Sequence, residues 1–304
     1  MSWRRILLCA VSDDDQAPGL VAFAAELAGA GGFDLLVAHV ADGRAPVPTR
    51  VGSSSASADI ALLPHELTHS ARLARADGEE LLRSLGVRDD ESVVALGEPF
   101  HELLRLGREC EAALVVVGTR GRGALRGALL GTVSRKLATE GDRPVVVVRP
   151  DAAARRGGAS VVCGVAGTLS SALPVARVAA DLAARLSVPL TLAHVLDIRD
   201  ELGSQTDLSF SALLDAEGWA ALKVMRGILD ELGDGSDARA TLRHGHPAEE
   251  LIALGDETDA ALIVVGCRGH RALRTLVEGS VSLKLCRHAH RAVAIVPPRA
   301  SGTH

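Results

Sequence analysis

The stretch that decides the fold is Ala112–Leu137, which reads AALVVVGTRGRGALRGALLGTVSRKL. A second copy begins 148 residues later: Ala260–Leu285 reads AALIVVGCRGHRALRTLVEGSVSLKL, and the two copies are identical at 16 of 26 positions. Each copy is a short apolar run that stops on a glycine, followed by a loop rich in glycine and arginine and then by a helical pattern. A match of this extent indicates that the chain contains an internal duplication.

The glycines of the two copies have the same spacing. Two residues separate Gly118 from Gly121, and nine residues separate Gly121 from Gly131. The corresponding residues in the second copy are Gly266, Gly269 and Gly279.

A glycine-rich turn between a buried strand and a helix favours an anion site. Backbone N–H groups and the positive end of a helix converge there, and glycine permits both positive φ and close approach of a ligand. The hydroxyls of Thr132 and Ser134 can add hydrogen bonds to the same anion. The alternative is that Thr132 only caps a helix and the glycines only form a tight turn. Recurrence of the pattern with arginines, at Arg120 and Arg126, favours the anion site. The counterparts in the second copy are Ser280, Ser282, Arg268 and Arg274.

The pattern Gly-x2-Gly-x9-Gly-Ser/Thr after a Val-rich strand resembles the ATP-binding signature of the universal stress protein family, and here it occurs in tandem. The resemblance covers nearly all of the chain in two halves. It implies an adenine-nucleotide α-hydrolase-like fold that binds ATP or a related adenine nucleotide, with or without Mg²⁺. It also implies a nucleotide-responsive regulator of a stress response. We predict no catalytic residue, because the sequence offers no candidate base for activating water, and no protein-bound metal, because the cysteines lack paired spacing. The spacing by itself indicates only an anion site.

Short strand patterns alternate with helix patterns in both halves, which predicts parallel sheets with helices on both faces. We expect an α/β protein of two tandem, doubly wound domains, residues 1–150 and 159–304, each with an open five-stranded parallel sheet. A segment rich in Ala, Arg and Gly, Asp151–Gly158, is predicted to be the linker. The final strands, Val145–Val148 and Val293–Val296, are apolar edges, and we expect them to pair antiparallel across a pseudo-two-fold axis.

Ligands of open α/β sheets bind outside the carboxyl ends of the strands, where the strand order reverses. The family resemblance implies that the turn after the first strand and the valine after His39 or His194 hold adenosine, and that the glycine loop holds phosphates. The predicted site of the first half is Val11, Ser12, Asp13, Val40, Gly118, Thr119, Arg120, Gly121, Gly131, Thr132, Val133 and Ser134. The predicted site of the second half is Val165, Ala166, Val195, Gly266, Cys267, Arg268, Gly269, Gly279, Ser280, Val281 and Ser282.

The chain departs from the family pattern after each first strand. Where the family usually has Val-Asp-Gly-Ser, this chain has Val-Ser-Asp-Asp from Val11 and Val-Ala-Gly-Thr from Val165. The first half can still present Asp13, whereas the second half has lost the carboxylate, which places its adenosine end in question. The histidines at the second strands are expected to orient strand ends through ring hydrogen bonds rather than to act in catalysis.

Composition excludes several classes of protein. The 304 residues are 47% hydrophobic and 23% charged with a net charge of −5, which is typical of a globular protein. There is no signal peptide pattern and no apolar run of membrane-spanning length, so we expect a cytoplasmic protein that does not bind membranes. The acidic balance and the 2% of aromatic residues argue against nucleic acid.

Five cysteines without paired spacing argue against both disulfides and zinc. Cys267, inside the second glycine loop, is the only candidate for an exposed and reactive thiol, and burial is the favoured reading of the others. An unidentified protein partner is expected, and a homodimer is left open. Two rival functions also stay open: a slow ATPase on the same fold, and a partner-binding module that has lost its nucleotide.

Overall fold

A computed structural model of the chain describes residues 6–41, 64–119, 130–155, 157–197, 207–233, 237–267 and 281–297. The strands of the first half are β1 (Ile6–Val11), β2 (Asp34–Ala41), β3 (Ser92–Leu96), β4 (Leu114–Gly118) and β5 (Val145–Val148). Its helices are α1 (Ala17–Gly31), α2 (Pro64–Ser84), α3 (Pro99–Glu109), α4 (Thr132–Glu140) and α5 (Pro150–Ala154), and a 3₁₀ turn, Asp89–Glu91, precedes β3.

The second half repeats this order. Its strands are β6 (Ser160–Gly164), β7 (Leu190–Leu196), β8 (Ala238–His244), β9 (Ala260–Gly266) and β10 (Ala292–Val296). Its helices are α6 (Leu169–Leu186), α7 (Asp207–Leu232), α8 (Pro247–Glu257) and α9 (Val281–His288). Among the helices of the described ranges, none combines the length and the apolar character needed to cross a membrane.

All ten strands form one sheet in the order β3-β2-β1-β4-β5-β10-β9-β6-β7-β8. Neighbouring strands within each half are parallel, and the two halves meet where β5 pairs with β10 antiparallel. At this seam Val146 lies opposite Ala294, and Val145 lies opposite Ile295. The predicted α/β class, the parallel order and the antiparallel pairing of the final strands are confirmed.

The valine runs form strands because both faces of the sheet are covered. In β4, Val116 packs into the cluster beneath α1, α2, α5, α6 and α7, whereas Val115 and Val117 pack into the cluster beneath α3, α4, α8 and α9. Side chains of successive strand residues point to opposite faces, so a strand buried on both faces is continuously apolar. Each fully buried valine contributes roughly 1.5–3 kcal/mol through loss of water contact.

The first helix ends later than its glycines suggest. Three glycines, Gly29, Gly31 and Gly32, predict the end of α1, yet only Gly32 terminates the helix, with φ of 64° and its N–H donated to the Ala28 carbonyl. A left-handed residue at this position is a common helix terminator, and glycine adopts it without strain. The other two glycines continue the helix, so the prediction that they end it is wrong.

The predicted linker Asp151–Gly158 lies between β5 and β6, and its first residues belong to the short helix α5. Pro150 stands at the start of α5, where its fixed φ suits a first helical turn. Ala152 and Ala153 are buried against α1, and alanine has the highest helix propensity. The sequence from Gly43 to Asp59 is rich in Ser and Pro and predicts a flexible loop; these residues lie outside the described ranges.

The halves also touch through side chains on the α1 face of the sheet. Arg185 of α6 donates to the Gly31 carbonyl at 3.2 Å, and its guanidinium lies 4.6 Å from the centre of the Phe33 ring. On the same side of the sheet, α1 packs against α6. The seam therefore combines a strand pair with a helix pair.

Candidate functional site

The strand order reverses at the same place in each half. In the first half β2 and β3 lie on one side of β1, and β4 and β5 lie on the other; β7 and β8 are likewise separated from β9 and β10 by β6. The carboxyl ends of β1 and β4, and those of β6 and β9, are therefore the expected positions for ligands. Because β5 and β10 are antiparallel, the strands of the two halves run in opposite directions. The two expected ligand positions therefore lie at opposite ends of the strands of the ten-stranded sheet.

The turn after β1 is closed by Asp14. Ser12 Oγ donates to Asp14 Oδ2 at 2.6 Å, and Asp14 Oδ1 accepts the N–H of Gln16 at 2.9 Å. Asp13 is exposed at the same edge of the sheet. The sequence did not reveal this division of roles, because three consecutive aspartates are chemically alike.

The strand-end histidines make the same hydrogen bond in both halves. His39 Nδ1 lies 3.1 Å from the Val11 carbonyl oxygen, and His194 Nδ1 lies 2.9 Å from that of Val165. A carbonyl oxygen only accepts, so Nδ1 carries the proton in both rings. The prediction that these rings orient strand ends is confirmed. The valines that follow them, Val40 and Val195, are half-buried.

In the first half, two hydrogen bonds hold the first turn of α4 against the end of β4. The N–H of Gly131 donates to the Thr119 carbonyl at 2.8 Å, and Ser134 Oγ donates to the Gly118 carbonyl at 2.6 Å. Thr119 and Ser134 are both buried. The single hydroxyl proton of Ser134 is thus used within the protein, and in this conformation the side chain positions α4.

The N-terminus of α4 has backbone donors that the helix itself does not use. Gly131 is the N-cap and no side chain caps the helix, so Thr132 does not act as the cap. The N–H groups of Thr132, Val133 and Ser134 have no acceptor within the helix, and the helix dipole adds partial positive charge. Gly131 has φ of −57° and ψ of 152°, which any residue can adopt. Positive φ therefore does not explain this glycine.

The turn after β6 is built differently from its counterpart. Gly167 has φ of 79°, and a Cβ there would lie 2.9 Å from Ser171 Oγ, so this position requires glycine. The Thr168 carbonyl accepts from Ser171 Oγ at 2.9 Å. Ala166 is exposed and the turn from Val165 to Thr168 contains no carboxylate, so this turn holds no equivalent of Asp13.

The structure describes only the two ends of the second glycine loop. Gly266 closes β9, and the N–H of Cys267 donates to the Val296 carbonyl at 2.9 Å. The described residues resume at Val281, where α9 begins, and Ser282 is half-buried in the first turn of this helix. Six predicted site residues lie outside the described residues: Arg120, Gly121, Arg268, Gly269, Gly279 and Ser280.

The cysteines are held as thiols by burial. Cys9 and Cys163 occupy equivalent buried places in β1 and β6, and burial raises the pKa of each to about 12. Cys267 is half-buried, and burial raises its pKa as well. Thiolates are the reactive form, so the raised pKa argues against Cys267 as a reactive thiol. Over the ranges that the structure describes, no three His, Cys, Asp or Glu side chains are grouped to hold a metal ion.

Comparison with known proteins agrees with the duplicated sheet. The model of the universal stress protein family matches residues 3–149 and again residues 159–297. A universal stress protein of Mycobacterium tuberculosis is 31% identical over 217 residues, covering 70% of each chain. A solved universal stress protein from Archaeoglobus fulgidus has the same fold, with a TM-score of 0.67, 16% identity, and coverage of 98% of this chain and 99% of that one.

Part of the chain also matches a solved universal stress protein in complex with cAMP. The identity is 28%, the match covers 46% of this chain and 97% of that chain, and the TM-score is 0.37. The family match extends over almost the entire length in two copies. The chain therefore belongs to the universal stress protein family.

Proposed function

We propose that this chain binds ATP, or a closely related adenine nucleotide, and acts as a nucleotide-responsive regulator in a stress response. The nucleotide is taken with or without Mg²⁺; any Mg²⁺ would be carried chiefly by the phosphates, as is usual for this ion. A protein partner then responds to the nucleotide-bound form. Membership of the family supports this proposal, and the geometry of the first half carries it.

The observation that carries the proposal is the cradle at the start of α4. Gly131 has no side chain, although its backbone would accept one, and the N–H groups of Thr132 and Val133 are unused by the helix. The Ser134–Gly118 hydrogen bond fixes this turn beside β4. A site without a Cβ, with N–H groups that the helix does not use and a positive helix end, fits a phosphate group.

The adenosine end of the first half supports the same ligand. Asp13 is an exposed carboxylate at this edge, able to accept hydrogen bonds from ribose hydroxyls. Val40 is half-buried beside it at the end of β2 and offers apolar surface. In the second half Ala166 replaces the carboxylate, so we propose that the first half is the tighter site.

We propose binding without turnover. Hydrolysis of a phosphoanhydride needs a group that positions and activates water. At this edge His39 is bonded to the Val11 carbonyl, and Asp14 is engaged by Ser12 and Gln16. We therefore assign no catalytic residue.

Three measurements on the purified full chain test the proposal. Mass spectrometry of small molecules released on denaturation identifies the bound ligand, and calorimetry on the stripped protein measures ATP, ADP and AMP affinity. Phosphate release measures turnover. We expect ATP or a related adenine nucleotide and no steady turnover. Absence of any nucleotide together with no heat of binding at millimolar ATP would favour a partner-binding module, and sustained phosphate release would favour the slow ATPase.

A further inference from the structure

The helices that follow the two glycine loops, α4 and α9, are equivalent in the repeat but are held at opposite ends. In the first half the first turn of α4 is tied to its own strand, because Ser134 Oγ donates to the Gly118 carbonyl at 2.6 Å. The counterparts of these residues are Ser282 and Gly266. The structure describes both, and no hydrogen bond joins them. The start of α9 therefore lacks the tie that fixes the start of α4.

The end of α9 is instead held by a residue of the first half. Arg149, which directly follows β5, donates from its guanidinium to the carbonyl of Arg287 in the last turn of α9. Asp151 orients the same guanidinium, since its Oδ1 accepts from Arg149 Nε at 3.0 Å. The last carbonyls of a helix have no donor within the helix, and a cation at this end interacts favourably with the helix dipole. Arg149 thus caps a helix that belongs to the other half.

The second half does not return this contact. The repeat counterpart of Arg149 is Pro297, which is buried after β10 and has no side-chain donor. Helix α4 has no basic residue in its last turn and ends at Gly141, whose N–H donates to the Leu137 carbonyl at 3.0 Å. The capping contact between the halves therefore runs in one direction only, from β5 to α9.

The topology places this contact beside the ligand position of the first half. Val148 pairs with Gly118 at the carboxyl end of β4, and Arg149 is the next residue. Because β5 and β10 are antiparallel, α9 starts near the carboxyl end of β9 and ends near the carboxyl end of β5. Its eight residues span about 12 Å. One short helix thus connects the ligand position of the first half with that of the second, where Val281 and Ser282 form its first turn.

We propose that Arg149 is a positioning residue for the nucleotide site of the second half and couples that site to the site of the first half. This inference rests on the proposed function, since it concerns an adenine nucleotide at both sites. A phosphate bound between β4 and α4 stabilises the end of β4 and, through the Gly118–Val148 pair, the end of β5. Arg149 then holds α9 where its first-turn N–H groups meet a phosphate. Nucleotide in either half raises the affinity of the other, because coupling between two binding sites is reciprocal.

Calorimetry with ATP on full-length variants measures each site alone. Gly131→Val leaves only the second site, and Gly279→Val, at the equivalent glycine of the repeat, leaves only the first. Addition of Arg149→Ala should weaken the second site about fivefold, which is the low end of couplings between sites. The same change should alter the affinity of the first site by less than about twofold, as expected for an independent position.

The unmodified chain measures the coupling itself. Its second site should bind ATP about fivefold more tightly than the second site of Gly131→Val, whose first site is empty. Arg149→Ala should remove this difference. Arg149→Lys keeps a cation that reaches the Arg287 carbonyl and should restore most of the affinity, which a general loss of stability would not allow.

The matched control is Arg155→Ala. Arg155 lies at the other end of α5 and also contacts the second half, with its Nη1 3.6 Å from Asp256 Oδ1 of α8 rather than at α9. Its removal should leave both ATP affinities unchanged. Hydrogen exchange of the ligand-free chain adds a readout without nucleotide, since Arg149→Ala should speed exchange of the α9 amides and leave those of α4 unchanged.

The outcomes separate this inference from the proposed function. No heat of ATP binding in the unmodified chain would overturn both. If ATP binds, second-site affinity that is equal with and without Arg149 would overturn the coupling alone, and so would an equal loss in Arg155→Ala. Saturation at one molecule of ATP per unmodified chain would also overturn the coupling while leaving nucleotide binding intact.

Discussion

Replacing His39 with phenylalanine should destabilise the end of β1 while keeping the packing around the ring. The hydrogen bond from His39 Nδ1 to the Val11 carbonyl, 3.1 Å long, is lost. The ring shape stays, which matters because Gly78 of α2 approaches it closely enough that a Cβ would lie 3.0 Å from His39 Cδ2. Val11 is only 6% exposed, so water cannot readily replace the lost donor.

The magnitude follows from that burial. A buried acceptor left without a donor costs roughly 1–3 kcal/mol, and we expect the free energy of unfolding to fall by about 1–2 kcal/mol. Urea unfolding followed by circular dichroism measures this loss, and the slope against urea should stay unchanged. His194→Phe should behave alike in the second half, because the Val165 carbonyl has the equivalent bond at 2.9 Å.

The control is His288→Phe, which replaces an exposed histidine and should change stability by no more than about 0.5 kcal/mol. If His39→Phe were no more destabilised than this control, the ring hydrogen bond would not be what fixes the end of β1. Proton-coupled NMR of the histidine ring nitrogens gives an independent check, since Nδ1 of His39 and of His194 should carry the proton.

Further outcomes are expected at the site, the seam and the thiols. Gly131→Val should abolish ATP binding by the first half without unfolding it, because φ of −57° suits valine; calorimetry in a background with the second site disabled would contradict this if affinity were unchanged. Because Asp13 is present and Ala166 is apolar, the first half should bind ATP more tightly by about 1–3 kcal/mol, and titration of site-disabled variants that ranked the halves equally would refute it. Residues 1–150 alone should sediment as a homodimer through β5, and a stable monomer at high concentration would count against that. Cys267 should react slowly with a thiol reagent at neutral pH because burial raises its pKa, whereas labelling as fast as an unfolded chain would show an accessible thiolate.

The fold was predictable because the sheet is buried on both faces. Runs such as Leu114–Val117 cannot be surface strands, and alternation of such runs with helical patterns allows little other than a parallel sheet. The antiparallel seam followed from two apolar edge strands that needed partners. The histidine hydrogen bonds followed from the recurrence of one histidine at the end of the second strand in both halves.

The remaining features depend on choices between chemically similar residues. Asp13 and Asp14 differ only in which carboxylate reaches back to the Ser12 hydroxyl, and three nearby glycines do not reveal which one turns left-handed at the end of α1. The alanines after Pro150 are compatible with an irregular segment or with a helix. Their burial against α1, which the sequence does not reveal, favours the helix. The sequence did not predict that Arg243 of β8 contacts Glu257 of α8 while the equivalent Glu109 contacts Arg105 of its own helix, because contacts between elements are not visible in a linear repeat.

The antiparallel seam also removes a restriction that symmetric dimers cannot escape. Val146 and Ala294 are equivalent in the repeat and lie directly opposite each other. On the two-fold axis of a homodimer a residue always meets its own copy, so such a joint consists of two valines or two alanines. With both halves encoded in one chain, a large residue can face a small one, and each later substitution alters one side only. The joint can therefore be preserved while the two outer strands diverge, as Ala95 of β3 and Arg243 of β8, which are equivalent in the repeat, illustrate.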